Sequence, residues 1–230
     1  MRESALVVLS GGQDSTTCLY WALERFGRSS VQSLTFDYGQ RHRIELESAR
    51  DVAAHAGVPN VILPINTFAA LGGNALTDKS VGIPKAIPRA IPRAPLHDGG
   101  LPPTFVPGRN LIFLTFAAAW AWQRGIRDIV TGVAQTDYSG YPDCRRHTID
   151  ALEETIQLGM ELAVTIHTPL MNLSKKETVL LARSLGGLDA MALTHSCYEG
   201  RRPPCRECAA CILRAKGFAE AGMTDPLMQT

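Results

Sequence analysis

The sequence predicts an α/β protein, a doubly wound and mainly parallel five-stranded sheet in a single domain spanning residues 1–230. Two observations carry this. Apolar runs of strand length alternate with helix-period patterns in β-α-β-α order, and 230 residues at 45% apolar and 20% charged suffice for one substantial core. Ligands of such sheets bind outside the carboxyl ends of the strands, so the loops after strands are where chemistry is sought.

The first strand is the apolar run 5–9, closed by a Ser-Gly-Gly turn, and a helical pattern from 16 to 26 follows and stops at Gly27. Residues 31–38 read as the second strand. Ile44, Ala49, Val52, Ala53 and Ala56 then recur at helical spacing up to Gly57. The remaining strands are expected at 61–65, 128–133 and 164–167, with helices at 110–124, 147–162 and 174–185. The last helix has a start signal in Ser174 and Glu177, whose S-x-x-E spacing lets each side chain cap the other's amide, and Gly186 and Gly187 end it. Residues 72–103 differ in kind. The near-repeat around Pro88, Pro92 and Pro95 removes amides that a helix or central strand needs, so this stretch is expected to be a long mobile loop. Residues 190–222 form a separate cysteine-bearing subdomain.

Lys+Arg 23 against Asp+Glu 22 gives a net charge of +1, which offers no bulk attraction to nucleic acid or anionic lipid. The longest apolar run, 111–122, is interrupted by Thr115 and is shorter than the ~20 residues needed to span a bilayer. Residues 5–9 are too few for a secretory signal, and Glu3 precedes them, so a cytoplasmic location is expected, with neither membrane nor nucleic acid as partner. The Trp120 and Trp122 pair, with Phe113 and Phe116, reads as helix-spaced core. Cys18 reads as core packing, and Cys144, between Asp143 and Arg145, as a small polar loop residue.

Between the first strand and first helix lies Ser10-Gly11-Gly12-Gln13-Asp14-Ser15. Glycines there let the backbone approach a phosphate, the helix N-terminus directs amides at it, and Ser10 and Ser15 add hydroxyls. The loop contains no lysine, so the G-x-x-x-x-G-K-[ST] pattern of γ-phosphate transfer is absent. The motif resembles the SGGxDS PP-loop of ATP pyrophosphatases, which implies that pyrophosphate is the leaving unit while AMP goes to the substrate. Three further stretches follow strands or open helices: Phe36-Asp37-Tyr38-Gly39-Gln40-Arg41-His42, Phe105-Val106-Pro107-Gly108-Arg109-Asn110, and Asp137-Tyr138-Ser139-Gly140-Tyr141-Pro142-Asp143-Cys144-Arg145. In this order, with the loop and a C-terminal cysteine cluster, the chain resembles the 7-cyano-7-deazaguanine synthase family of queuosine biosynthesis from residue 6 to about 218. The Pro-rich stretch 82–103 looks longer than that family's loop.

The cysteines run Cys197, seven residues, Cys205, two, Cys208, two, Cys211. Four thiolates suit tetrahedral Zn²⁺. A C-x-x-C-x-x-C run also occurs in iron–sulfur ferredoxins, although there a further cysteine precedes a proline, and none follows Cys211. His195 reads as a hydrogen-bonding neighbour of the set.

The resemblance implies an adenine nucleotide α-hydrolase-like fold, a structural Zn²⁺, a homodimer, and ATP-dependent conversion of 7-carboxy-7-deazaguanine and ammonia to the nitrile, with Mg²⁺ accompanying ATP. It implies Ser10, Asp14 and Ser15 as catalytic residues. ATP would be bound by Leu9, Ser10, Gly11, Gly12, Gln13, Asp14, Ser15, Thr16, Thr17, Cys18, Leu19 and Asp37. The deazaguanine would be bound by Tyr38, Gln40, Arg109, Asn110, Asp137, Tyr138, Tyr141, Asp143 and Arg145. Arg109 suits a carboxylate because its planar fork binds one bidentately, and Asp143 suits the N–H donors of the guanine edge. Two other readings stand beside this one: a PP-loop tRNA-modifying enzyme of the lysidine synthetase or thiolase type, with Arg201, Arg202 and Arg206 on RNA phosphates, and a zinc-stabilised nucleotide-binding module without catalysis. ATP to AMP turnover separates the last from the others.

Overall fold

The computed structural model describes residues 4–85, 101–135 and 140–229. Five strands, β1 (Ala5–Val8), β2 (Val31–Asp37), β3 (Asn60–Pro64), β4 (Asp128–Val130) and β5 (Thr165–His167), form one sheet in the order β3-β2-β1-β4-β5. Every neighbouring pair is parallel. Around the sheet lie helices α1 (Gln13–Phe26), α2 (Ile44–Ala56), α3 (Thr67–Leu71), α4 (Arg109–Trp122), α5 (Arg146–Met160), α6 (Lys175–Ser184) and α7 (Ala209–Glu220).

Both faces of the sheet are covered, and for that reason its strands read as continuous apolar runs instead of alternating ones. In β1 successive side chains still point to opposite sides. Leu6 enters one core with Leu34, Ile129 and Ile166, closed by Leu114, Ala117 and Ala121 of α4 and Ile149 and Ile156 of α5. Ala5, Val7 and Leu9 enter the other, with Cys18, Leu19 and Ala22 of α1 and Ala49, Val52 and Ala53 of α2. The alanines on α2 and α4 let both helices lie close to the strands. A smaller cluster of Val179, Ala182, Met191 and Phe218 joins α6 to α7.

From β1 the chain winds outward through β2 to β3, then crosses to place β4 on the other side of β1. The winding therefore reverses between β1 and β4, and their diverging carboxyl ends leave a crevice there.

The expected elements are present with shifted ends. The fourth strand stops at Val130 instead of 133: Thr131 N adds one bond to His167 O, and Gly132 then packs so closely on the start of α1 that a Cβ there would stand 3.1 Å from the Ser15 amide nitrogen. The first part of the expected loop 72–103 makes specific contacts. Residues 72–85 contain Asn74, whose side-chain oxygen accepts from the amides of Leu76 and Thr77. Arg41 gathers the carbonyls of Ala75, Lys79 and Val81, and Ala75 is fully buried. Lys85 then pairs with Glu199 and Glu207 of the cysteine segment. The repeat around Pro88, Pro92 and Pro95 lies outside the described residues.

Candidate active site

The loop after β1 is set by one glycine. Gly11 has φ +80°, and a Cβ on it would meet the Ala49 amide nitrogen and the Glu45 carbonyl oxygen, each at 2.6 Å. Only glycine therefore lets this turn seat against α2. The two serines lock the turn from within: Ser10 N donates to Ser15 Oγ at 3.1 Å, the hydroxyls lie 3.0 Å apart, and Ser15 Oγ donates to Gly12 O at 3.1 Å. Gly12 stands at the N-cap and offers no side-chain acceptor, so the first-turn amides of α1 stay available to an anion. Gln13 Nε2, Asp14 Oδ1 and Thr16 Oγ1 are buried with no hydrogen-bond partner among the described residues.

The loop has a lysine after all, supplied from another helix. Lys175 is the first residue of α6, placed there by the Ser174–Glu177 capping box. Its Nζ donates to Asp14 Oδ2 at 2.6 Å. Gly217 of α7 makes room for this, since a Cβ there would stand 2.9 Å from Lys175 Cβ. The absence of lysine from the loop's own sequence is thus no absence from the site.

A cleft of about 310 Å³ opens at the crevice between β1 and β4. Leu9, Ser10, Gly12, Gln13, Asp14 and Ser15 form its floor, Thr131 to Ala134 one side, and Tyr38, Gln40, Arg109, Asn110 and Tyr141 the far end. His195, Ser196, Tyr198 and Arg214 of the C-terminal segment close it opposite. The His195 amide donates to Gly11 O at 2.8 Å and ties that segment to the loop.

At the far end, Tyr38 is wedged edge-on against Phe68 and Phe113, and its amide donates to Gln40 Oε1 at 2.9 Å. Arg109 opens α4 after Gly108, which adopts φ +71° at the N-cap. Its guanidinium lies 5.8 Å from the Tyr38 ring centroid. Burial opposes the Arg109 charge, yet Tyr38, Tyr141, Asp143 and Cys144 around it hold its pKa above the usual value. Tyr141 hydroxyl and Thr104 Oγ1 lie 2.7 Å apart. Burial, with Glu45 nearby, pushes Tyr38 up to about 12, so it stays a neutral phenol.

Several expected site residues also have structural partners. Asp143 is buried behind the cleft and accepts from the Asn110 amide at 3.1 Å. It therefore braces the start of α4. Arg145 is exposed and donates to Gly140 O. Asp37 pairs with the exposed Arg43 at 2.7 Å. Thr16, Thr17, Cys18 and Leu19 are fully buried beneath the loop, and Gly11 faces α2. Asp137 and Tyr138 lie outside the described residues. Cys144 does line the cleft, where Asn110 Nδ2 donates to its Sγ at 3.2 Å.

Unforeseen from sequence are Glu45, Lys175 and Arg214. Arg214, 3% exposed, forks onto Asp225 at 2.7 and 2.8 Å and donates to Thr194 Oγ1 and Met191 O. A lone arginine in an apolar helix was the available signal: burial there demands a paired carboxylate.

The sulfur atoms of Cys197, Cys205, Cys208 and Cys211 lie within 4.8 Å of one another. Amides of Glu207 and Cys208 donate to Cys205 Sγ, and that of Cys205 to Cys197 Sγ, around a turn where Arg206 has φ +64°. Hydrogen bonds from Cys208 and Cys211 hold the Cys197 thiol well below its usual pKa. Four convergent thiols in a knuckle of amide donors fit a tetrahedral metal, and all four positions are taken by protein.

These features define an α/β protein with a glycine loop at the switch point of its sheet and a four-cysteine cluster in the C-terminal segment, other residues of which line the cleft. The chain belongs to the family described as queuosine biosynthesis protein QueC, whose model matches residues 4–222. It is similar to proteins named 7-cyano-7-deazaguanine synthase: 63% identical to that of Chromobacterium violaceum over 99% of this chain and 94% of the relative. The figures are 65% for Laribacter hongkongensis over 98% and 94%, and 48% for Bacillus subtilis over 95% and 95%.

Proposed function

We propose that the chain converts 7-carboxy-7-deazaguanine and ammonia to 7-cyano-7-deazaguanine, consuming ATP and releasing AMP and pyrophosphate. The observation that carries this reading is one cleft with a phosphate-type loop at one end and a half-buried arginine with an aromatic face at the other. A carboxylate is a poor electrophile because its charge repels a nucleophile and oxide does not leave. Transfer of AMP to it supplies a leaving group, and ammonia then displaces AMP to give the amide. A second adenylation, on the amide oxygen, lets that oxygen depart with AMP and leaves the nitrile.

The chain's own work is mainly positioning and charge stabilisation. The α1 amides, Ser10 and Ser15 receive the pyrophosphate unit, while Lys175 holds Asp14 in place. Arg109 takes the substrate carboxylate, Tyr38 and Tyr141 border the ring, and Gln40 and Asn110 complete that end. Asp14, with Oδ1 unpartnered, would hold Mg²⁺, which neutralises charge on the phosphates. Cys197, Cys205, Cys208 and Cys211 would hold a Zn²⁺ that stabilises the C-terminal wall. The reading further includes a cytoplasmic homodimer that binds no nucleic acid, in keeping with the net charge of +1.

Chromatography of the spent nucleotide tests the reading. AMP and pyrophosphate are expected, and ADP as the main product would end it.

A further inference from the structure

We propose that Glu45 is the proton acceptor for the incoming nitrogen. The assignment rests on the function proposed above and adds a residue to it. Glu45 lies in the first turn of α2 and lines the cleft. Its backbone carbonyl abuts Gly11 of the phosphate-type loop, and it lines the same cleft as Arg109 of α4 and Tyr38 after β2, close enough for the Arg109 charge to act on its carboxyl. It thus borders both the glycine loop and the Arg109 end of one cleft, in which the acyl adenylate of the proposed reaction would form. The carboxyl accepts no hydrogen bond among the described residues. A carboxylate serving only as a structural anchor would be expected to have its lone pairs filled.

The reaction needs such a group twice. When ammonia attacks the adenylated carboxyl carbon, the new C–N bond leaves a positive nitrogen. The Glu45 carboxylate takes one N–H proton, the carbonyl re-forms, and the C–O bond breaks with its electron pair going to AMP. After the second adenylation the carbon bears a protonated imino nitrogen and O–AMP. Removal of a proton to Glu45 and departure of AMP with the C–O electron pair yields the protonated nitrile, which releases its last proton to water. Burial lifts the Glu45 carboxyl to about 7, opposed by Arg109, which places it near the working pH, where a group can both take and return a proton.

Glu45→Gln and Glu45→Asp separate this role from its rivals. Deazaguanine-dependent ATP–pyrophosphate exchange without ammonia reports the first adenylation, which requires no proton removal from nitrogen. In Glu45→Gln, exchange should stay within about twofold of the parent while nitrile formation falls about 100-fold or more. Glu45→Asp, retaining a carboxyl, should recover part of the loss. At fixed free ammonia, the parent's rate should rise as pH passes through about 7, and the glutamine variant should lack that limb. Equal loss of exchange and nitrile formation in both variants, a raised KM for the deazaguanine at unchanged kcat, or a persisting limb in Glu45→Gln would overturn the assignment. Absence of nitrile from the parent protein would instead overturn the function itself.

Discussion

Arg109 separates two kinds of positive charge. Its planar fork can grip a carboxylate with two parallel hydrogen bonds, whereas a lysine offers a point charge. Arg109→Lys should therefore keep folding and ATP affinity while lowering kcat/KM for the deazaguanine by about 10-fold or more, the worth of one charge-assisted bond. Parental steady-state kinetics in this variant would show that Arg109 does not touch the substrate. Asp14→Ala should abolish most turnover and remove the Asp14 carboxylate from Lys175. Thermal melts should fall modestly, because Asp14 in the first turn of α1 is 28% exposed and Lys175 18% exposed, so the pair is partly buried and losing one partner costs more than the ~1 kcal/mol of a surface pair.

At the scale of elements, the loop and the C-terminal segment are two folded devices pressed together. Gly11→Ala must either leave its φ of +80° or drive a methyl into the α2 backbone, so it should cost at least about 1–3 kcal/mol and displace the loop, detectable as a lowered urea midpoint with loss of ATP binding. Arg214→Ala strands Asp225 in the interior and should cost about 3–5 kcal/mol. Chelation should remove about one zinc per chain and loosen the 190–222 segment before the sheet unfolds, since binding and local folding are one free energy. An iron–sulfur absorption band in anaerobically purified protein would contradict the zinc assignment. The glycine loop and the capping box were readable in the sequence because each is local, a matter of spacing within six residues. Lys175 and Glu45 were not, because their relevance comes from α6 and α2 being folded onto the loop from far along the chain. The hydrogen bond from the Asn110 amide to Asp143 was hidden for the same reason, since it joins a loop to the start of a helix thirty-three residues earlier.

Over the whole molecule, the strand order explains why stretches distant in sequence form one site. Reversal of the winding between β1 and β4 opens a crevice, bordered by Ser10, Tyr38 and Thr131 after strands, by Asp14, Arg109 and Lys175 at helix starts, and by the C-terminal segment. Alternating apolar runs made the five parallel strands foreseeable. The order of those strands and the ordered part of residues 72–85 depend on contacts such as Arg41 with Ala75, Lys79 and Val81, which no local pattern encodes. The central claim is that a cleft with a phosphate-type loop at one end and an arginine at the other turns a carboxylate into a nitrile. Incubation of the purified protein with ATP, ammonium and 7-carboxy-7-deazaguanine, read by mass spectrometry, tests it most directly. The account predicts 7-cyano-7-deazaguanine with AMP rising in step; consumption of ATP with no nitrile, or with ADP as the product, would contradict it.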